Sequence, residues 1–232
     1  MIEPSHLDVI VADHYRATHV RDRIVARREA GLAPWEEQVL ARHHVPAGGE
    51  FLVVGGGAGR ESKALARLGF SVVSVDASPE LTDFGRRHAS GREQFWCLWP
   101  PSDALPEERF DHVALWSQVL ANVAGAERRR ALLAGAARSL KPRGRLSLSV
   151  HELDQTLALI GSDMRVERVG PAAGDLLIAE TGETPCYWRY FTTDEIGDLA
   201  SDAGLALDAL VSASELGDPT RSNLMIGLCH RP

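Results

Sequence analysis

Short apolar runs alternate with amphipathic stretches along most of the chain. Phe51–Val54, Phe70–Val75, Phe95–Leu98, Phe110–Trp116 and Arg145–Val150 are rich in aliphatic and aromatic residues. Gly, Pro or acidic residues bound most of them, which predicts five strands. Glu61–Leu68, Pro79–His88 and Glu127–Leu140 fall between these runs with helical spacing, and Gly69 stops the first. Strands and helices alternating at this interval imply βαβ units and a parallel sheet. Lys141-Pro142-Arg143-Gly144 reads as a turn into the fifth strand. Further on, Thr192 and Glu195 form a capping box for a helix that ends near Ala203 and Gly204. Leu205–Val211 and Asn223–Cys229 predict two last strands, and the short polar link between them makes that pair antiparallel.

Two regions lack this alternation. The first 45 residues read as helices, with an Arg- and Ala-rich stretch at Val20–Ala30 and a helix start at Pro34-Trp35-Glu36-Glu37. Residues 151–190 carry Gly, Pro and acids without a clear period, as expected of an insert or lid.

Charge and composition narrow the function. With 25 basic against 32 acidic residues in 232, the formal charge is −7, so the chain lacks the basic footprint of a nucleic-acid binder. The run Arg21, Arg23, Arg27, Arg28 has no interleaved aromatics and reads as a solvated or salt-bridged face. Cys97, Cys186 and Cys229 are far apart, which indicates neither a disulfide framework nor a zinc cluster. His151-Glu152 opens like a zinc-protease motif, but Gln155 stands where the second histidine belongs, so no metal is expected. No window approaches the roughly 18 apolar residues of a membrane span. The first residues hold acids where a secretory signal would place Lys or Arg, so a cytoplasmic protein is expected.

The strongest chemical signal is Val53-Val54-Gly55-Gly56-Gly57-Ala58-Gly59-Arg60-Glu61, a strand entering a glycine turn that opens a helix. Glycines there permit positive φ and close backbone approach to a ligand. The spacing is GxGxG at Gly55, Gly57 and Gly59. Arg60 breaks the dinucleotide fingerprint, and no Gly-Lys-Ser/Thr follows for a phosphate loop. Asp76 ends the second strand about 20 residues on, where a carboxylate accepts hydrogen bonds from a ribose.

These motifs resemble those of the class I S-adenosylmethionine-dependent methyltransferases. The glycine turn is similar to their first motif, and Ser74-Val75-Asp76-Ala77-Ser78-Pro79-Glu80-Leu81 to their ribose-binding motif. Asp103-Ala104-Leu105-Pro106 with Phe110-Asp111-His112-Val113 is similar to their adenine-side loop and fourth strand. Leu140-Lys141-Pro142-Arg143-Gly144 is similar to the turn into their fifth. The resemblance spans about residues 48–150, with weaker likeness beyond. It implies an α/β fold: a Rossmann-like, doubly wound, seven-stranded, mostly parallel sheet with an antiparallel last strand. It also implies a helical N-terminal cap at 1–47 and an S-adenosylmethionine-binding domain at 48–232, with 151–190 as the insert.

The implied function is methyl transfer from S-adenosylmethionine to a small molecule. Gly55, Gly57 and Gly59 would hold the methionine part, Asp76 and Ala77 the ribose, and Asp103 with Trp99 the adenine. Trp116, Ser117 and Gln118 end the fourth strand, at the edge where open α/β sheets bind ligands, and are expected on the reaction side. His151 follows the fifth strand at the same edge and is the candidate base. His14 and Tyr15 in the cap, and Tyr187 and Arg189 in a late aromatic cluster, are candidate substrate contacts. Family members usually carry an acid two positions before the first glycine, where it helps hold the methionine amino group. This chain has Val53 there, with Arg60 and Glu61 as the residues placed to compensate. Two alternatives stay open: an RNA or protein methyltransferase, and a non-catalytic cofactor-binding relative. A homodimer is also left open.

Overall fold

A computed structural model describes residues 2–43, 45, 48–99, 104–161, 164–180 and 184–232. The predicted apolar runs become β1 (Glu50–Val54), β2 (Ser71–Asp76), β3 (Glu93–Cys97), β4 (Phe110–Leu115) and β5 (Leu140–His151). The two late runs are reached after three more strands and are labelled β9 (Ala206–Ser212) and β10 (Leu224–His230). They form one sheet in the order β3-β2-β1-β4-β5-β10-β9. The first five strands are parallel, and β10 runs antiparallel to both β5 and β9. The chain order reverses between β1 and β4, so a crevice opens there at the carboxyl ends of the strands.

Both faces of the sheet are covered. Leu52 and Val54 of β1 enter one apolar cluster, while Phe51 and Val53 enter the other. Successive side chains point to opposite faces, so a strand buried on both sides needs an unbroken apolar run, as FLVV supplies. The helices between strands are α4 (Arg60–Arg67), α5 (Pro79–Arg87) and α6 (Ala126–Ser139). The capping box appears as predicted at the start of α8 (Thr193–Asp202): Thr192 Oγ1 accepts from Glu195 N, and a Glu195 carboxylate oxygen accepts from Thr192 N.

The cap comprises α1 (Pro4–Arg16), α2 (Thr18–Ala26) and α3 (Pro34–His43). Its anchor is Arg28, from the stripe read as a solvated or salt-bridged face; this residue is salt-bridged and buried, not solvated. Its Nη1 donates to the carbonyls of Ala58 and Gly59, and its Nη2 to His88 O and to Glu93 Oε1 at 3.0 Å.

One other expectation needs correction, and the region without a clear period proves to be structured. The Lys141–Gly144 turn lies inside β5, where the register against β4 shifts between Phe110 and His112 and Arg143 takes φ 63°. A bulge absorbs the Pro-Arg-Gly signal that mimics a turn. Residues 151–190 hold α7 (Leu153–Leu159) and a second, antiparallel sheet of β6 (Met164–Arg168), β7 (Asp175–Glu180) and β8 (Cys186–Arg189). Most of β6 is exposed, so it shows no alternation for sequence reading to detect.

Buried histidines make this fold acid-sensitive. His112 stacks on Phe51 at 4.5 Å and lies 2.8 Å from Ser147 Oγ, with the His43 ring 5.1 Å away. Burial pushes His43 and His151 down to about 4 and His112 well below its ordinary value. The fold therefore keeps all three neutral, while the unfolded chain takes up protons below about pH 6.5. Their stabilisation is complete above that pH and is lost as pH falls toward 4. Urea denaturation at pH 7.5 and 5.5 should show stability lower at pH 5.5 by on the order of 1 kcal/mol in total for each histidine. Equal stability at the two pH values would contradict this.

Candidate active site

β1 ends in the glycine turn, whose backbone only glycine adopts readily. Gly55, Gly57 and Gly59 have φ of 72°, 52° and 91°. Gly55 N and Gly56 N both donate to Val75 O, which ties the turn to β2. A Cβ on Gly55 would lie 2.9 Å from Val119 Cβ, and one on Gly57 would meet Ile24 of the cap at 3.3 Å. The turn thus presents bare backbone to a cavity of about 740 Å³ between the cap and the strand ends. Gly59 does not line that cavity. Its missing Cβ makes room for Phe95 and Arg28, so its requirement is packing.

Asp76 ends β2 at the cavity wall. Its Oδ2 accepts from Gly57 N at 2.8 Å and its Oδ1 from Ser78 N at 2.9 Å. Burial raises its pKa, and the backbone N–H groups of Ser78 and Gly57 oppose that rise. Each oxygen keeps lone-pair capacity for a further donor. Ala77 and Trp99 line the same cavity. Asp103, the other predicted adenine contact, lies outside the described residues.

The end of β4 is held by polar groups beneath it. Ser147 Oγ accepts from Trp116 Nε1 at 2.6 Å, Ser149 Oγ donates to the Trp116 carbonyl, and Trp35 meets Trp116 edge-on at 5.8 Å. These contacts set Trp116, Ser117 and Gln118 on the cavity wall. From the cap, His14 and Tyr15 reach it as well. Tyr15 donates to Asn122 Oδ1 at 2.9 Å, and Asn122 Nδ2 donates to Tyr187 O. Burial raises the Tyr15 pKa far enough to keep its hydroxyl protonated.

Besides Gly59, three predicted residues are not brought to this cavity. His151 ends β5, but its ring packs toward Tyr190, and burial with nearby Arg221 holds its pKa near 4. Tyr187 is buried with its hydroxyl on Asp175 Oδ1. Arg189 is buried and pairs with Glu195. Tyr187 and Arg189 belong to β8, whose register turns them away and leaves Trp188 on the cavity.

Sequence reading missed Glu36, Asn122 and Trp188, and named Arg60 and Glu61 only as residues placed to compensate for Val53. All five line the cavity. Arg60 makes a two-pronged pair with Glu36, at 2.5 and 2.8 Å, and reaches Glu61 Oε1 at 2.7 Å. Burial pushes the Glu36 carboxyl up, against the hydrogen bond from Arg60. Burial would lower Arg60, but its carboxylate partners push it up. Nothing local marks Glu36, since its proximity to Arg60 spans 24 residues. Val53 is buried beside Trp116 and Phe51 in an apolar cluster and is not on the cavity wall.

A bare glycine turn, a carboxylate with spare acceptor capacity, an indole and a cavity of this size fit an adenosyl amino acid. The sheet order and this crevice together define the fold of the class I S-adenosylmethionine-dependent methyltransferases. Residues 52–148 match the family model described as a methyltransferase domain. The chain is 33% identical over 115 residues to demethylmenaquinone methyltransferase of Tropheryma whipplei (strain Twist), covering 49% of this chain and 46% of that protein. It is 34% identical over 141 residues to ubiquinone biosynthesis O-methyltransferase of Xanthomonas axonopodis pv. citri, covering 57% and 56%. The chain thus spans about half the length of the curated relatives it matches. Among solved structures, 1,6-didemethyltoxoflavin-N1-methyltransferase of Burkholderia thailandensis, with 1,6-didemethyltoxoflavin and S-adenosylhomocysteine bound, superposes with a TM-score of 0.70. That match has 20% identity over 100% of this chain and 91% of the other.

Proposed function

We propose that this chain transfers the methyl group of S-adenosylmethionine to a small-molecule acceptor held between the cap and the end of β4. The observation that carries this reading is the shared wall: the glycine turn, Asp76 and Trp116–Gln118 face one cavity at the switch point of the sheet. When bound, the cofactor supplies an activated methyl group on a sulfonium. The glycine turn would hold its amino-acid part, Asp76 and Ala77 its ribose, and Trp99 its adenine. The rest is positioning, which can lower a barrier by about 7–11 kcal/mol. Tyr15, fixed by Asn122, and Trp116, fixed by Ser147, give the acceptor side two oriented walls. With His151 off the cavity wall, the reading assigns no protein base. It suits an acceptor that ionises readily or reaches the methyl group already deprotonated.

The quinone-pathway relatives direct the first acceptor trials to hydroxylated quinone and ring precursors. The cytoplasm is the compartment proposed for the reaction; among the described residues no helix is long and apolar enough to cross a membrane. Titration calorimetry with S-adenosylhomocysteine tests the cofactor half. Heat of binding accompanied by a raised melting temperature is expected. Neither heat nor a thermal shift, with S-adenosylmethionine or its demethylated product, would end the proposal.

A further inference from the structure

Beside the glycine turn the cavity wall carries an unbalanced charge. Glu36 and Glu61 are 1% and 2% exposed, and one guanidinium, that of Arg60, serves both. Arg60 is satisfied: its remaining reach goes to Gly31 O at 2.8 Å. Glu36 is satisfied too, since Oε2 also accepts from Ala33 N at 2.7 Å. Glu61 is not. Its Oε1 accepts from Arg60 and from Ser117 Oγ, both at 2.7 Å, while its Oε2 accepts no hydrogen bond among the described residues. No other Lys or Arg among the described residues pairs with either carboxylate. The trio sets two carboxyl groups against one guanidinium, and its unmatched oxygen belongs to a nearly buried side chain on the cavity wall.

That oxygen is accessible rather than sealed within the protein, so a ligand in the cavity can donate to it. The donor that fits is a primary ammonium, compact and positive, with three N–H groups. Asp76 accepts from Gly57 N at the middle of the glycine turn, and Glu61 lies just after the turn, where α4 begins. Both line the cavity, so a ligand with its ribose at Asp76 shares a wall with Glu61. We infer that Glu61, oriented by Ser117 and Arg60 and backed by Glu36, receives the ammonium group at the amino-acid end of the cofactor. This rests on the cofactor reading above and adds the residue that recognises that end.

The test compares two ligands with the same nucleoside and thioether. S-adenosylhomocysteine carries the amino-acid end, and 5′-methylthioadenosine lacks it. By calorimetry, Glu61→Gln should weaken S-adenosylhomocysteine roughly 10- to 30-fold, the scale of one charge-assisted hydrogen bond, and leave methylthioadenosine within about twofold. Equal losses for both ligands, or no loss for S-adenosylhomocysteine, would overturn the assignment. Should Glu61→Gln fail to fold, the wild-type protein still decides. The deaminated analogue of S-adenosylhomocysteine should then bind at least about 10-fold more weakly than the parent, and equal affinity would refute the inference. A wild type that binds methylthioadenosine but not S-adenosylhomocysteine would refute this inference alone, while one that binds none of these ligands would refute the cofactor reading too.

Discussion

Asp76→Asn is expected to weaken S-adenosylhomocysteine binding about 100-fold, since charge-assisted hydrogen bonds contribute roughly 1.5–3 kcal/mol each and the substitution removes the charge from two. The carboxylate already accepts from Gly57 N and Ser78 N, one on each oxygen. An asparagine can offer an oxygen to only one of these N–H groups, and its amide nitrogen then faces the other as a second donor. The variant should therefore lose both the acceptor for the ribose and part of the hold on the glycine turn. Calorimetry measures the first effect and a melting curve the second. Affinity within threefold of the wild type would show that Asp76 is only a structural cap on α5.

The largest expected loss of stability follows from Glu93→Gln. Glu93 and Arg28 form an ion pair at 3.0 Å with side chains 1% and 4% exposed. Removing one partner of such a pair leaves a buried charge without its counter-charge, which costs about 3–5 kcal/mol. The geometry makes the substitution worse, because Glu93 Oε2 also accepts from Ser90 N. A glutamine amide must turn its NH₂ toward either that N–H or the Arg28 guanidinium. Arg28 also holds the carbonyls of Ala58 and Gly59, so the loss should loosen the cap and the glycine turn together. Urea denaturation should show the midpoint falling by the equivalent of at least about 3 kcal/mol. A change under about 1 kcal/mol would mean that neighbouring carbonyls alone satisfy the guanidinium.

The extent to which the sequence was legible follows from how local each signal is. β1, β4 and β10 could be read because each is buried on both faces and so carries a nearly uninterrupted apolar run. The glycine turn and Asp76 could be read because positive φ and a strand-end carboxylate each leave a short, position-specific trace. β5 misled at its start, since Pro142, Arg143 and Gly144 have the composition of a turn whether they end a strand or bulge within one. Of the small sheet, β6 escaped notice because an exposed strand carries no alternation. Trp188, Tyr187 and Arg189 show the same limit at the level of single residues. A cluster of aromatic and basic side chains was visible, but the face each would take depended on pairing with β7, and it is Trp188 that reaches the cavity.

Residue order alone was therefore enough for the alternating architecture, the direction of the last strands, the glycine turn with its carboxylate, and the methyltransferase resemblance. These rest on contacts between near neighbours, or on burial patterns that repeat along the chain. Folding settled the rest. It moved His151 off the cavity wall, buried Arg28 against Glu93 across 65 residues, and joined Glu36, Arg60 and Glu61 into one charged group beside the turn. Such long-range pairings leave no local trace, because a carboxylate on a cap helix and a guanidinium after a strand become partners only once the cap has docked.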